Sequence, residues 1–218
     1  MLSAVIFDMD GVIIDSEPLH AQVVIDMMQD FGVSLEMKDM DRFVGNTNAT
    51  LWKTLIAEFD LPVSLEELGK TQHRQNLETL KKSNGLLIDG VKPLLEEIKS
   101  ANHGTAIASS SNKEFITSVV DKFELGTFFD YLVSGQEVKN SKPAPDIFLE
   151  AVSRLGVSPE DCVVIEDSNH GVAAANAAGI KVVGFVNPNS GNQDLSKADK
   201  IVHSMADISL ELMKNLVE

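Results

Sequence analysis

Short apolar runs, each closing on a polar residue, recur along the chain, with helical spacings between them. Residues 4–8, AVIFD, are apolar and partly β-branched up to a terminal aspartate, as expected of a strand covered on both faces. Runs of the same kind follow at TAIAS (105–109), YLVS (131–134), CVVIE (162–166) and KVVGF (181–185). Between them, Phe115, Ile116, Val119, Val120 and Phe123 fall close to helical spacing over 112–123. A second helix is predicted from Pro145, placed in its first turn, to Leu155, with Gly156 as its stop. The small-residue run VAAANAAG (172–179) ends on a glycine suited to the position just past a helix. Strands alternating with helices predict an α/β fold with a parallel sheet.

Residues 17–82 break that rhythm. Leu19, Val23, Met27 and Phe31 recur every four residues, and Gly32 is the expected stop. Further helices are expected over 47–59 (TNATLWKTLIAEF) and from Ser64 to about Lys82, where Ser64 and Glu67 have capping-box spacing. Phe43 and Trp52 are expected in the core of this segment. The polar strip Lys70, Thr71, Gln72, His73 and Arg74 is expected to interrupt the last of these helices and to form a solvated face. The whole is a helical insert between the first two strands, bounded by Asp15-Ser16 and Ser83-Asn84-Gly85, which are turn-prone. The predicted division is an α/β core of residues 1–15 and 84–218 and a helical domain of residues 16–83.

Composition narrows the function classes. The 18 basic and 33 acidic residues give a formal net charge of −15, and no Lys/Arg cluster supplies a surface for nucleic acid or anionic membrane. No apolar run approaches the ~18 residues that would span a bilayer, and a basic, cleavable leader is not evident. The single cysteine, Cys162, permits no internal disulfide and fits a cytoplasmic setting, with a buried structural thiol expected. A small anionic substrate would need local positive charge to bind this chain.

The candidate chemistry sits where the strands end, since ligands of open α/β sheets bind beyond the carboxyl ends of the strands. Strand 1 ends in Asp8-Met9-Asp10-Gly11, strand 2 in Ser109 and strand 4 in Glu166-Asp167, and the loop after strand 3 carries Lys142. Carboxylates gathered this closely repel by several kcal/mol at intermediate dielectric, so a divalent cation is expected among them. All-oxygen donors with few protein ligands suit Mg²⁺, which also takes a substrate phosphate oxygen. Taken singly, each piece has a plainer reading: a turn at Gly11, a helix cap at Ser109–Asn112, a solvated loop lysine.

Together, FDMDGVIIDSE, the helical insert, AIASSS, SKPAPDIF and VIEDSNHG stand in the order found in a known family. The chain resembles the haloacid-dehalogenase-like hydrolase superfamily over essentially its whole length, in the subgroup with a small helical cap inserted after strand 1. That subgroup contains β-phosphoglucomutase and many sugar-phosphate phosphatases. The resemblance implies a Rossmann-like core and a definite set of roles. Asp8 would be the nucleophile forming an aspartyl-phosphate, and Asp10 the general acid and base. Mg²⁺ would be held by the Asp8 carboxylate, the Asp10 backbone carbonyl and Asp167, with Glu166 as ligand or supporting partner. Ser109, with the amides around Ser110, would hold phosphoryl oxygens, and Lys142 would neutralise developing charge and pair with Asp8. Asn112, His20, Gly45, Thr47 and Lys70 are the further substrate-binding candidates. An aspartate at position 10 favours phosphate-ester chemistry within the superfamily, because its dehalogenases and transport ATPases lack one there.

The resemblance leaves two enzymes open. His20, in DSEPLH, matches a histidine that the mutases use, but many phosphatases of the subgroup share it. The mutases also carry an arginine for a second phosphate in the stretch matching Gly45-Asn46-Thr47-Asn48, and no arginine is present there. A bisphosphate needs positive charge at both ends, so a phosphatase of a sugar or polyol phosphate is the first expectation and a phosphomutase the alternative. A phosphate-binding module without turnover is a third class; a receiver-type domain, however, places its acidic pair and its phosphorylated aspartate on different strands. A dinucleotide-binding module lacks support, since no GxGxxG follows strand 1. The expected partner is a small phosphorylated metabolite, and the chain is expected to act as a monomer.

Overall fold

The computed structural model describes residues 1–44 and 47–218. Two compact units make up the chain, one of Met1–Asp15 with Gly85–Glu218 and the other of Ser16–Asn84.

The first unit holds a six-stranded parallel sheet. Its strands are β1 (Ala4–Phe7), β2 (Gly104–Ser109), β3 (Tyr131–Ser134), β4 (Cys162–Glu166), β5 (Lys181–Phe185) and β6 (Lys200–Val202), in the order β3-β2-β1-β4-β5-β6. Five of these answer to the predicted runs. The strand β6 has three residues, of which Lys200 and Ile201 are exposed, so no continuous apolar run announces it. The central strand β1 pairs with β2 on one side and β4 on the other, Phe7 facing Ile107 and Ile165 in register. The chain order reverses at this point, so the ends of β1 and β4 open the crevice in which such folds bind ligands.

Both faces of the sheet are covered, which is why its strands read as unbroken apolar runs. Ala4 and Ile6 share a cluster with Ile147, Phe148 and Ala151 of α7 (Asp146–Leu155) and with Val172, Ala174 and Ala175 of α8 (Asn169–Ala177). The alternate residues Val5 and Phe7 are equally buried, and Phe7 meets Phe129 edge to face at 5.8 Å. The unit also contains α5 (Val91–Ser100), α6 (Lys113–Lys122) and α9 (Leu210–Val217). The helix α8, capped by Ser168, starts three residues before the predicted run, because the polar stretch Asn169-His170-Gly171 continues into it. Cys162 is buried, donates to the Ser158 carbonyl at 3.3 Å, and has its thiol pushed up to about 12 chiefly by burial.

The second unit is helical: α1 (Glu17–Asp30), α2 (Met37–Met40), α3 (Asn48–Phe59) and α4 (Leu65–Lys82). The helix α1 ends one residue before Phe31, which is 37 % exposed rather than part of the buried stripe. Ser64 and Glu67 form the expected capping box of α4. The polar strip does not interrupt α4, since none of its residues is a helix breaker. Nor is it wholly solvated: Gln72 is 2 % exposed and its Oε1 accepts from Trp52 Nε1 at 2.8 Å. Trp52 and Phe43 are buried, as expected of this unit's core.

Candidate active site

Strand β1 delivers Asp8 to the crevice one residue past its end, and the backbone N–H of Asp8 still donates to Ile165 of β4 at 3.0 Å. Met9, Val12, Ile13 and Ile14 are fully buried, so the turn that follows is anchored by apolar side chains while Asp10 is left half-buried. At Gly11 the backbone has φ +79°, and a Cβ there would lie 1.9 Å from Asp167 Oδ2. Only glycine satisfies both conditions.

Asp8 is 7 % exposed, Glu166 1 % and Asp167 5 %. One carboxylate oxygen from each lies within 4.8 Å of the other two. At that separation each pair of negative charges costs roughly 3 kcal/mol at an effective dielectric of ~20. One ammonium faces them. Lys142 Nζ donates to Asp8 Oδ1 at 2.5 Å and to Glu166 Oε1 at 2.7 Å, and lies 4.9 Å from the centre of the Phe148 ring. The other oxygen of Glu166 accepts from Ser168 N at 2.7 Å and Ser168 Oγ at 2.9 Å. Glu166 is thereby held from both sides, and Gly171 of α8 leaves the room: a Cβ there would lie 1.6 Å from Glu166 Oε1.

Burial dominates the electrostatics. It pushes Asp8 up to about 8, against the pull of Lys142 and with the help of Glu166 and Asp10. It also drives Asp167 well above the usual carboxylate range, reinforced by Glu166 and Asp8. Burial works against the Lys142 ammonium too, but Asp8 and Glu166 outweigh it and hold its pKa above the ordinary lysine value. Three buried carboxylates facing one ammonium are short of positive charge. Their donor set is all oxygen and fits a hard divalent cation.

Asp10 occupies a different setting. Its Oδ2 accepts from Ser111 Oγ at 2.7 Å and from Ser109 Oγ at 3.2 Å. Ser109 is fully buried at the end of β2, and its hydroxyl also accepts from Ser111 N at 3.0 Å, while Ser110 is exposed. Asp8, Asp10, Ser109, Lys142, Glu166 and Asp167 are thus drawn together from four segments of the chain.

The other predicted residues have more local settings. Asn112 caps α6, its Oδ1 accepting from Phe115 N at 2.9 Å. Thr47 caps α3 through Thr50 N at 3.2 Å. His20 is half-buried on α1, and exposed Lys70 pairs with Glu66 at 2.6 Å on α4. Gly45 lies outside the described residues.

Sequence reasoning missed four participants. Ser111 stands in the SSSN run beside residues that were singled out, so the run itself was the available signal. Asn187, Asn189 and Ser190 lie in VNPNSGN after β5, which reads as an ordinary turn. In the fold, Ser190 Oγ donates to Asp167 Oδ2, and Asn187 Nδ2 donates to the Gly11 carbonyl at 3.0 Å.

Comparison with known proteins agrees with this geometry. Residues 5–185 match the family model described as haloacid dehalogenase-like hydrolase. The chain is 34% identical over 212 residues to the probable pseudouridine-5'-phosphatase of Drosophila melanogaster, covering 94% of this chain and 91% of that protein. It is 32% identical over 220 residues to the phosphorylated carbohydrates phosphatase of Thermotoga maritima, covering 99% of this chain and 100% of the other. Among solved structures it resembles the β-phosphoglucomutase of Clostridium difficile at a TM-score of 0.83 and 25% identity, covering 100% of this chain and 97% of that one.

Proposed function

The chain belongs to the haloacid dehalogenase-like hydrolase family, and from that premise we propose that it is a Mg²⁺-dependent phosphatase acting through an aspartyl-phosphate on Asp8. It hydrolyses the phosphate ester of a small metabolite, most simply a sugar or polyol phosphate; the relative named a phosphorylated carbohydrates phosphatase supports the class.

The observation that carries the reading is that two carboxylates two residues apart have separate environments. Asp8 lies buried against Lys142 and the acidic cluster, suited to a nucleophile that must be ionised beside positive charge. Asp10 is half-buried and held by two serine hydroxyls, suited to exchanging a proton. In the forward step an Asp8 oxygen attacks phosphorus, the ester P–O bond breaks, and Asp10 gives its proton to the departing oxygen. Asp10 then takes a proton from water as that water attacks phosphorus, and the Asp8–phosphorus bond breaks to release phosphate and restore the carboxylate. Lys142 holds Asp8 in place and offsets the charge gathering on the phosphoryl oxygens. Ser109 fixes the Asp10 carboxylate and the backbone that leads into the exposed Ser110.

Asp8 and Asp167, with the backbone carbonyl of Asp10, would hold Mg²⁺. The ion would supply charge neutralisation for the phosphoryl group and the positive charge that keeps Asp8 ionised.

A phosphate-release screen with Mg²⁺ over sugar, polyol and short organic-acid phosphates tests the proposal. β-Glucose 1-phosphate should be included and followed for glucose 6-phosphate with a trace of bisphosphate present. Release from one or a few compounds is expected, and it should disappear in Asp8→Asn with the fold intact. Glucose 6-phosphate forming without net phosphate release would make the chain a mutase. No turnover of any ester would leave a binding module.

A further inference from the structure

We propose that Ser190 and Asn187, on the loop that follows β5, are positioning residues for the cation centre: Ser190 aims the Asp167 carboxylate, and Asn187 fixes the Gly11 peptide beside Asp10. The inference rests on Asp167 being a cation ligand, as above.

Both residues are 5 % exposed. Ser190 Oγ donates to Asp167 Oδ2. The same oxygen abuts Gly11: the site a Cβ would occupy there is 1.9 Å from Asp167 Oδ2 and 2.9 Å from Ser190 Oγ. Oδ2 is therefore enclosed between a hydroxyl and a glycine backbone, which fixes the plane of the carboxylate. A carboxylate pinned in this way gives up little freedom on binding, whereas an unpinned one must first be ordered.

Asn187 holds the other wall. Its Nδ2 donates to the Gly11 carbonyl at 3.0 Å, and its Oδ1 accepts from Asn189 N at 2.8 Å. Asn189 Nδ2 in turn donates to Asp15 Oδ2 at 2.5 Å, and Asn187 Nδ2 stands 3.5 Å from Asp15 Oδ1. Asp15, the third aspartate of the opening motif, thus anchors this loop by accepting amides. Gln193 closes the far side, donating through Nε2 to the Ser190 carbonyl at 3.1 Å while its Oε1 accepts from Asn169 N at 3.1 Å. One loop is tied to the turn after β1, to the ligand carboxylate after β4 and to the start of α8. These ties suit a bracket that sets the relative positions of Asp167 and the Gly11 peptide.

The test is calorimetric titration of Mg²⁺ alone into the full chain and its variants, beside initial rates as Mg²⁺ is varied. Ser190→Ala should weaken Mg²⁺ binding roughly 10–100-fold, the range for losing a partner of a ligand, with the rate recovering as Mg²⁺ is raised. Asn187→Ala should weaken it about 10-fold on the same grounds. Should Ser190→Ala fail to fold, Ser190→Gly removes the hydroxyl without adding volume and is titrated under the same criterion. A lower melting temperature with an unchanged Mg²⁺ Kd would reduce Ser190 to a structural residue and overturn the inference. If the unaltered chain takes up no Mg²⁺, the cation reading itself fails and this inference fails with it. Unchanged affinity in Ser190→Ala beside a wild type that binds overturns this inference alone.

Discussion

Replacing Gly171 by alanine sets two physical effects against each other with opposite signs. Gly171 is the third residue of α8, where the helical preference for alanine over glycine is at most the roughly 1 kcal/mol of a helix interior. The Cβ, however, would lie 1.6 Å from Glu166 Oε1, 1.8 Å from its Cδ and 2.4 Å from Oε2, against the ~3.5 Å of an ordinary contact. These are atoms of a carboxylate 1 % exposed and held at 2.7 Å by Lys142 and at 2.7 and 2.9 Å by Ser168, so it cannot step aside and keep its bonds. Separating Glu166 from Lys142 breaks a buried ion pair, worth about 3–5 kcal/mol of destabilisation. After the helix gain, a net loss of roughly 2–4 kcal/mol remains, which for a chain of this size lowers Tm by about 5–15 °C. Gly69 in α4 is the matched control, because a Cβ there meets nothing within 4 Å; Gly69→Ala should be neutral or slightly stabilising. Urea and thermal unfolding of both variants measure the difference, and phosphate release reports whether Lys142 still holds Asp8. If Gly171→Ala proved as stable and as active as Gly69→Ala, the tight enclosure of Glu166 would be refuted.

Other consequences can be checked separately. Gly11→Ala combines strained φ with a Cβ 1.9 Å from Asp167 Oδ2, so Mg²⁺ affinity measured by calorimetry should fall by at least the ~10–100-fold expected for a lost ligand partner; an unchanged affinity would refute the close approach. Without metal, folded Asp8 and Asp167 keep protons that the unfolded chain sheds above 3.8. Their contribution to stability is therefore full below 3.8 and is lost as pH rises through the folded value of about 8 for Asp8. Melting in a chelator should drop across that window and the drop should shrink with Mg²⁺, whereas a rise with pH would contradict the assignment. Trp52→Phe strips the 2.8 Å bond from Gln72 Oε1 in the helical unit and should cost about 1–3 kcal/mol in urea unfolding, the range for a buried acceptor left unsatisfied. Asp10→Asn should slow breakdown of the aspartyl-phosphate, seen as phosphoenzyme accumulating in rapid-quench experiments; full turnover would count against its acid–base role.

Much of the core was legible because a strand buried on both faces must be written in apolar residues, as AVIF, CVVIE and KVVGF are. What was illegible follows from the same rule. The strand β6 is short and two-thirds exposed, so no apolar run marks it. The strip at 70–74 departs from a solvated face because a polar side chain can be buried when it is bonded, as Gln72 is to Trp52. Asn112 and Thr47 illustrate the converse, polar residues near a predicted site whose side chains cap helices.

Which carboxylates stand at the strand ends follows from chain order alone, because Asp8 and Asp10, and Glu166 and Asp167, are neighbours along the chain and arrive with β1 and β4. The sequence also carries the family, through motifs whose order survives without any fold. How those groups are charged and aimed depends on contacts made in the packed fold. Lys142 reaches Asp8 across 134 residues of chain, and Ser190 reaches Asp167 across 23. The first contact depends on β3 and β2 lying beside β1, the second on β5 lying beside β4, an order that brings the following loops to one rim. Local periodicity records whether a residue is buried; a partner a hundred residues away leaves no periodic trace, and its identity emerges only when the sheet order sets the distance.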